Sequence, residues 1–317
     1  MLVIGSFLFV ATPSAAESQG QQRGDASLRL EFQFVRTGTF ISENAEFDYW
    51  STDSRVAILS GDYAITDRWS VFAALPYIRK RFNSEVPWGG DPHNPNDPYW
   101  IDFVPSDKRF WDDGEYHGDF QDFSIGVSYR FEKGPWTLGP YIGYGVPATD
   151  YPFFAKAAIG KNLWTVPVGT AFSFVPYFSD WHFEGDVAYV FSEQPLGFNV
   201  DYWLVHLSAG YWFRANLSVN AFLSLKYTRD GVSLTSPIFI DGDPATAVYP
   251  DDWDTEEWYQ HDRLVGNRNL NFGLGIQYFF NREWSVSGSG YQSIWTEESN
   301  EIDYAFTVAL TRFFGGE

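Results

Sequence analysis

From residue 27 onward the chain alternates between apolar and polar positions. Leu28, Leu30, Phe32 and Phe34 take one side of the pattern, and Arg29, Glu31 and Gln33 take the other. A period of two is that of a β-strand with one face in an apolar phase and the other in a polar one. The same rhythm recurs as Phe123, Ile125, Val127, Tyr129 and Phe131, then through 164–174 and 181–191. It continues as Trp203, Val205, Leu207, Ala209, Tyr211 and Phe213, and as Leu217, Val219, Ala221, Leu223, Leu225 and Tyr227. Leu270 to Phe280 and Tyr304 to Phe314 complete the regular segments. Less regular stretches at 53–65, 69–82, 136–147 and 284–296 also read as strands, with bulges where the alternation breaks. The pattern predicts about twelve strands, and single-chain bacterial barrels have an even number.

The connections carry a second signal. Thr66-Asp67-Arg68, 132–135, 214–216 and 281–283 are tight polar turns. Between them lie long connections at 83–118 and 229–268, and shorter ones at 37–52, 148–162, 192–200 and 297–301. With a periplasmic N-terminus, every longer connection falls on the same side. Trp69, Trp136, Trp164, Trp181, Trp203, Trp284 and the Phe313-Phe314 pair stand at strand ends, where amphipathic rings favour the headgroup level. The predicted fold is all-β, a transmembrane antiparallel up-and-down β-barrel with short periplasmic turns and long extracellular loops. A secreted β-sandwich is the rival; its loops would have no reason to alternate in length.

Composition narrows the choice. Aromatic residues make up 20% of the 317 positions, yet mean hydropathy is slightly negative and no run of about 18 apolar residues follows the N-terminus. Helical spans are thereby excluded. A net charge of -20 disfavours nucleic acid, and the absence of cysteine excludes disulfides and thiolate metal sites. No cofactor or metal motif is present. Residues 1–16 read as a signal peptide, with an apolar stretch from Leu2 to Ala11 and a Ser14-Ala15-Ala16 step, although no Lys or Arg precedes it. Residues 17–317 then form the barrel, with outer-membrane lipid and lipopolysaccharide as its surroundings and a small molecule as its substrate.

Two stretches match a known pattern. Asp62-Tyr63-Ala64-Ile65-Thr66-Asp67-Arg68-Trp69-Ser70-Val71, followed by Leu75-Pro76-Tyr77, resembles the Ile-Thr-Asp turn and Leu-Pro-Tyr strand end of the meta-pathway of phenol degradation family. Gln121-Asp122-Phe123-Ser124-Ile125-Gly126-Val127-Ser128-Tyr129-Arg130-Phe131 is similar to its Gly-Asp strand, with Gln121 where glycine is usual. The resemblance is sharpest over 62–131. It implies an outer-membrane transporter-like channel for small, aromatic or otherwise poorly soluble compounds.

By alternation the inward candidates are Arg29, Glu31, Asp122, Arg130, His182, Glu184, Asp186, His206 and Lys226. Such a mixed-charge set either lines a polar pathway or forms an internal salt-bridge network that fills the barrel. The two large loops hold acids, among them Asp91, Asp97, Asp112, Asp241, Asp251 and Glu256, and aromatics such as Trp88, Trp100 and Trp253. Without calcium-loop spacing, the acids read as a solvated surface. His206-Leu207-Ser208, with Asn220 on the next strand, resembles the arrangement of outer-membrane lipid hydrolases. Ala209 stands where those enzymes have Asn, and the apolar neighbours of His206 turn it away from lipid, so an enzyme is not the reading preferred here.

Overall fold

The computed structural model describes residues 22–42, 46–48, 51–83, 114–154, 156–233, 238–239, 247–248 and 255–315. Twelve barrel strands follow one another in chain order. They are β1 (Ala26–Ile41), β2 (Thr52–Ala64), β3 (Trp69–Phe82), β4 in three pieces (His117–Phe120, Asp122–Tyr129, Phe131–Lys133), β5 (Trp136–Pro147) and β6 (Thr165–Phe174). Then come β7 (Trp181–Ser192), β8 (Tyr202–Arg214), β9 (Leu217–Thr228), β10 (Arg268–Phe279), β11 (Trp284–Glu297) and β12 (Ser299–Phe314). Each pairs antiparallel with its sequence neighbours, and β12 returns to β1, from Ala26 opposite Phe314 to Ile41 opposite Ser299. The ring therefore has no free edge, the condition a sheet must meet in hydrocarbon, where unpaired backbone groups find no partner.

Register places the two alternating sets on opposite faces. On neighbouring strands Leu30 faces Leu59 and Leu310, while Glu31 faces Ile58 and Ala309. Leu28, Leu30, Phe32, Leu274, Ile276, Phe306 and Val308 are all exposed, as a solvent of lipid requires. Trp69, Trp136, Trp181, Phe213, Phe280 and Phe314 ring the short-turn end, and Trp164, Trp203, Tyr227, Trp295 and Tyr304 ring the other. On β8, Trp203 and Phe213 are ten residues apart. At about 3.4 Å per residue and a tilt near 40–45°, that separation spans roughly 25 Å, the height of an apolar belt.

The long-turn end departs from expectation at the ends of β1 and β12 and in β4, while the bulge expected within 284–296 is present. The strands β1 and β12 run on beyond the alternating segments, to Ile41 and from Ser299, so the 297–301 connection is a tight turn rather than a loop. Its pivot is Glu298, at φ 49°, held because its carboxylate accepts from Ser42 and Ser233 at 2.8 and 2.6 Å. Strand β11 bulges at Ile294, where Leu270 faces Trp295 but Asn271 faces Ser293. Strand β4 breaks at Gln121, whose backbone N–H bonds Pro76 and whose amide side chain turns inward to donate to Ile159 O at 2.8 Å. The signal-peptide segment and most of the two large acidic loops lie outside the described residues.

The buried apolar residues gather inside the upper barrel. Val35, Val56, Ile58, Ala74, Ile78, Ile302 and Ala305 point inward from β1, β2, β3 and β12, and they pack around Tyr151 and Ile159 of the β5–β6 connection. Tyr151 is fully buried. That connection, 148–164, is folded into the ring rather than standing outside it.

Candidate functional site

Below this packing, toward the short-turn end, the lumen holds a cavity of about 330 Å³. Its polar wall includes Arg29, Glu31, Asp62, His182, Glu184, Asp186, His206, Ser208 and Asn220, carried by β1, β2, β7, β8 and β9. All sit on the inward register: Glu184 faces Ser208 and Asp186 faces His206 across β7 and β8. The wall is internally bonded. Arg29 meets Glu31 at 2.6 Å, Gln33 donates to the same carboxylate, and Ser27 donates to Asp62. Tyr141 of β5 donates its hydroxyl to Asp186 at 2.9 Å. Four acids, Glu31, Asp62, Glu184 and Asp186, face one arginine, Arg29, so the cavity wall carries an excess of negative charge.

Aromatic side chains close in at mid-height. Phe72, Tyr141 and Phe222 are buried inside the ring, with Phe72 edge-on to Tyr141 at 6.0 Å, and Phe222 edge-on to Tyr291 at 6.2 Å and 5.5 Å from the His206 ring. Phe222 can lie flat only because Gly273 faces it on β10, where a Cβ would sit 2.3 Å from the ring and 2.7 Å from Tyr291 Cβ. Phe72 uses Gly126 on β4 in the same way. Phe222 occupies the polar register, between Ser218, Asn220 and Ser224, while Phe72 lies between Ser70 and Ala74 on a strand without regular alternation. An aromatic on the polar side of an alternating strand is the sequence signal that marks Phe222, and the charge-based candidate set passed over it.

Above the rings lies the inward-folded connection. Lys80 of β3, fully buried, donates to Ala158 O at 3.1 Å, and Tyr151 donates to Asp122 of β4 at 2.5 Å while accepting from Asn162 N at 2.9 Å. Burial, reinforced by the Asp122 carboxylate, pushes the Tyr151 hydroxyl well above its ordinary pKa, so it remains a donor. The C-terminal end of a helix, α1 (Thr255–Leu264), braces the same connection. Arg263 donates to Lys161 O and Asn162 O at 2.9 and 2.6 Å, and Lys161 donates to Val265 O at 2.7 Å.

The nine inward candidates therefore divide by height. Arg29, Glu31, His182, Glu184, Asp186 and His206 line the cavity. Asp122 is taken by Tyr151 at the inward fold, and Lys226 is buried with its ammonium 4.6 Å from the Tyr202 ring. Arg130 sits near the short-turn end beside Glu132, its ion partner, away from the cavity. Ser208 accepts from Asn220 at 2.9 Å, and both face the lumen with His206, on the side of the wall away from the acyl chains a lipid hydrolase would attack.

The geometry has a solved counterpart. An outer-membrane channel from Pseudomonas putida F1 superposes with a TM-score of 0.68 at 14% identity, over 94% of this chain and 98% of that one. The chain has that channel's fold. The NanC porin, at 8% identity over 90% of this chain and 98% of that one, and the CymD monoaromatic hydrocarbon channel, at 14% over 99% and 95%, superpose less well, with TM-scores of 0.48 and 0.45. No protein-family model matches the sequence, and no curated protein matches it. A closed twelve-stranded ring with an apolar outer belt and a polar lumen is a barrel of the bacterial outer membrane.

Proposed function

We propose that the protein is a passive channel for the uptake of small molecules, and that its cargo is aromatic or otherwise poorly water-soluble. The observation that carries this is the lumen itself: a polar, water-compatible cavity whose wall includes the rings of Phe222 and Tyr291. Its volume, about 330 Å³, falls at the lower end of the roughly 300–1,000 Å³ range of small-molecule sites. Rings offer planar cargo an apolar face while the acids and hydroxyls beside them keep water in place. The resemblance to the phenol degradation family points to the same class of solute. Passage past the rings requires the 148–164 connection to shift.

A second reading is favoured by that same connection: a barrel whose lumen is filled and whose outer loops bind a partner. Proteoliposomes separate the two. Swelling in an isosmotic neutral aromatic glycoside, faster than in an aliphatic sugar of similar mass, is the result the channel reading expects. Swelling no faster than in protein-free vesicles for every solute would leave the filled barrel.

A further inference from the structure

The outward face of the barrel changes character abruptly at the long-turn end. Descending β2 and β3, the outward cross-strand pairs are Asp53 with Arg81, Arg55 with Arg79, Ala57 with Tyr77, and Leu59 with Leu75. On β1 the outward Arg36 stands opposite Asp53, one pair above Phe34 opposite Arg55. Four arginines on three adjacent strands thus lie directly above lipid-facing apolar residues. The step comes at Tyr77, whose ring meets Phe120 edge-on at 5.2 Å.

The charges in this patch are unevenly satisfied. Asp53, almost fully buried, holds Arg36 at 3.0 Å and Arg81 at 2.7 Å, and Asp303 lies 4.0 Å from Arg36. Arg55 and Arg79 differ. They are exposed and face each other across the strand pair, an arrangement that like charges make unfavourable. Among the described residues no carboxylate lies within salt-bridge distance of either. Their shared neighbour is Tyr116, whose ring is 4.2 Å from the Arg55 guanidinium and 5.7 Å from that of Arg79, and whose carbonyl accepts from Arg79 at 3.5 Å. The ring orders the two forks but neutralises neither.

We propose that Arg55 and Arg79, with Arg36 and Arg81 flanking them, form a binding site for the phosphate groups of lipopolysaccharide in the outer leaflet. A guanidinium fork matches a phosphate bidentately, and an anion between Arg55 and Arg79 turns their repulsion into attraction to a common partner. The position selects the source of the phosphate. The row lies about 5 Å above the Tyr77–Phe120 pair, two residues at roughly 3.3–3.4 Å each along strands tilted near 40–45°, so a ligand held there has its acyl chains against Tyr77, Leu59 and Leu75. It is also at the long-turn, extracellular end, where the leaflet's lipid is a phosphorylated glycolipid.

The test is native mass spectrometry of the detergent-purified full chain with added bisphosphorylated lipid A. Wild type is expected to bind it at least tenfold more than chemically dephosphorylated lipid A, and R55Q/R79Q is expected to lose that preference. Single-channel conductance of the double variant should equal that of wild type, because the residues face away from the lumen. Equal binding of the two lipids by wild type would overturn the site whatever the variant does. Retention of the preference by R55Q/R79Q would overturn it too, as would inorganic phosphate binding there as tightly as lipid A, since the site would then not need the glycolipid.

Discussion

Tyr151 turns into the lumen from the β5–β6 connection to donate a 2.5 Å hydrogen bond to Asp122 of the adjacent strand β4. The loop is thereby fastened to the wall by a side chain whose hydroxyl also accepts from the loop's own Asn162 N–H. Tyr151→Phe keeps the ring in its apolar pocket and removes both bonds. It leaves a partly buried carboxylate and a backbone donor unpartnered, a cost of about 1–3 kcal/mol. The expected outcome is a lower melting temperature of the inward fold and more frequent openings in single-channel records. An unchanged record would mean that the connection is held by its packing alone.

The cavity wall has four acids against Arg29. An uncompensated negative lining raises the local concentration of cations and repels anions. The channel should therefore pass potassium in preference to chloride, and E184Q/D186N should bring the permeability ratio close to one. Reversal potentials in a potassium chloride gradient measure this directly. Chloride preference in the wild type would contradict the charge assignment of the lumen.

Phe222 and Tyr291 narrow the lumen from β9 and β11. Phe222→Ala removes a ring that nothing else on its register replaces, and conductance should rise by a factor of about two or more as the area open to water grows. Gly273→Val acts in the opposite sense, because its branched side chain has no room beside the Phe222 ring. That variant is expected to fold less well or to conduct less. Equal conductance in all three proteins would place the constriction elsewhere.

Leu274 and Gln277 lie three residues apart on β10 with opposite orientation, Leu274 outward and exposed, Gln277 in the cavity wall. Leu274→Arg puts a charge into hydrocarbon at a cost of about 2–4 kcal/mol near the midplane. Gln277→Arg meets water and acids instead. Urea refolding into lipid vesicles should show the first substitution strongly destabilised and the second close to wild type.

How much of this was legible in the sequence follows from what each residue contacts. The faces of β1, β8, β9 and β10 were readable because lipid and lumen impose a strict period of two, and a one-residue slip would expose every side chain to the wrong phase. The rule fades above the membrane, where both faces of a strand meet polar surroundings, so the extension of β12 back to Ser299 and the turn at Glu298 were not visible. Glu298 is held by Ser42 and Ser233, far away in the chain, and no local pattern announces such partners. Tyr151 and Ile159 sit in a short connection that looked like an external loop, and only their burial among Val56, Ile78 and Ile302 shows that it turns inward. Alternation and charge together picked out Glu184 and Asp186 for the lumen, but passed over Phe222, an uncharged ring on the inward side of the same pattern.

Planar-bilayer recording of the purified full chain bears most directly on the idea that this ring of strands admits solutes through its middle. Discrete steps, smaller than those of a sixteen-stranded porin and more frequent in Tyr151→Phe, are the result expected from a lumen with a cavity below and a fastened loop above. A silent bilayer for both proteins, with the barrel demonstrably inserted, would contradict it.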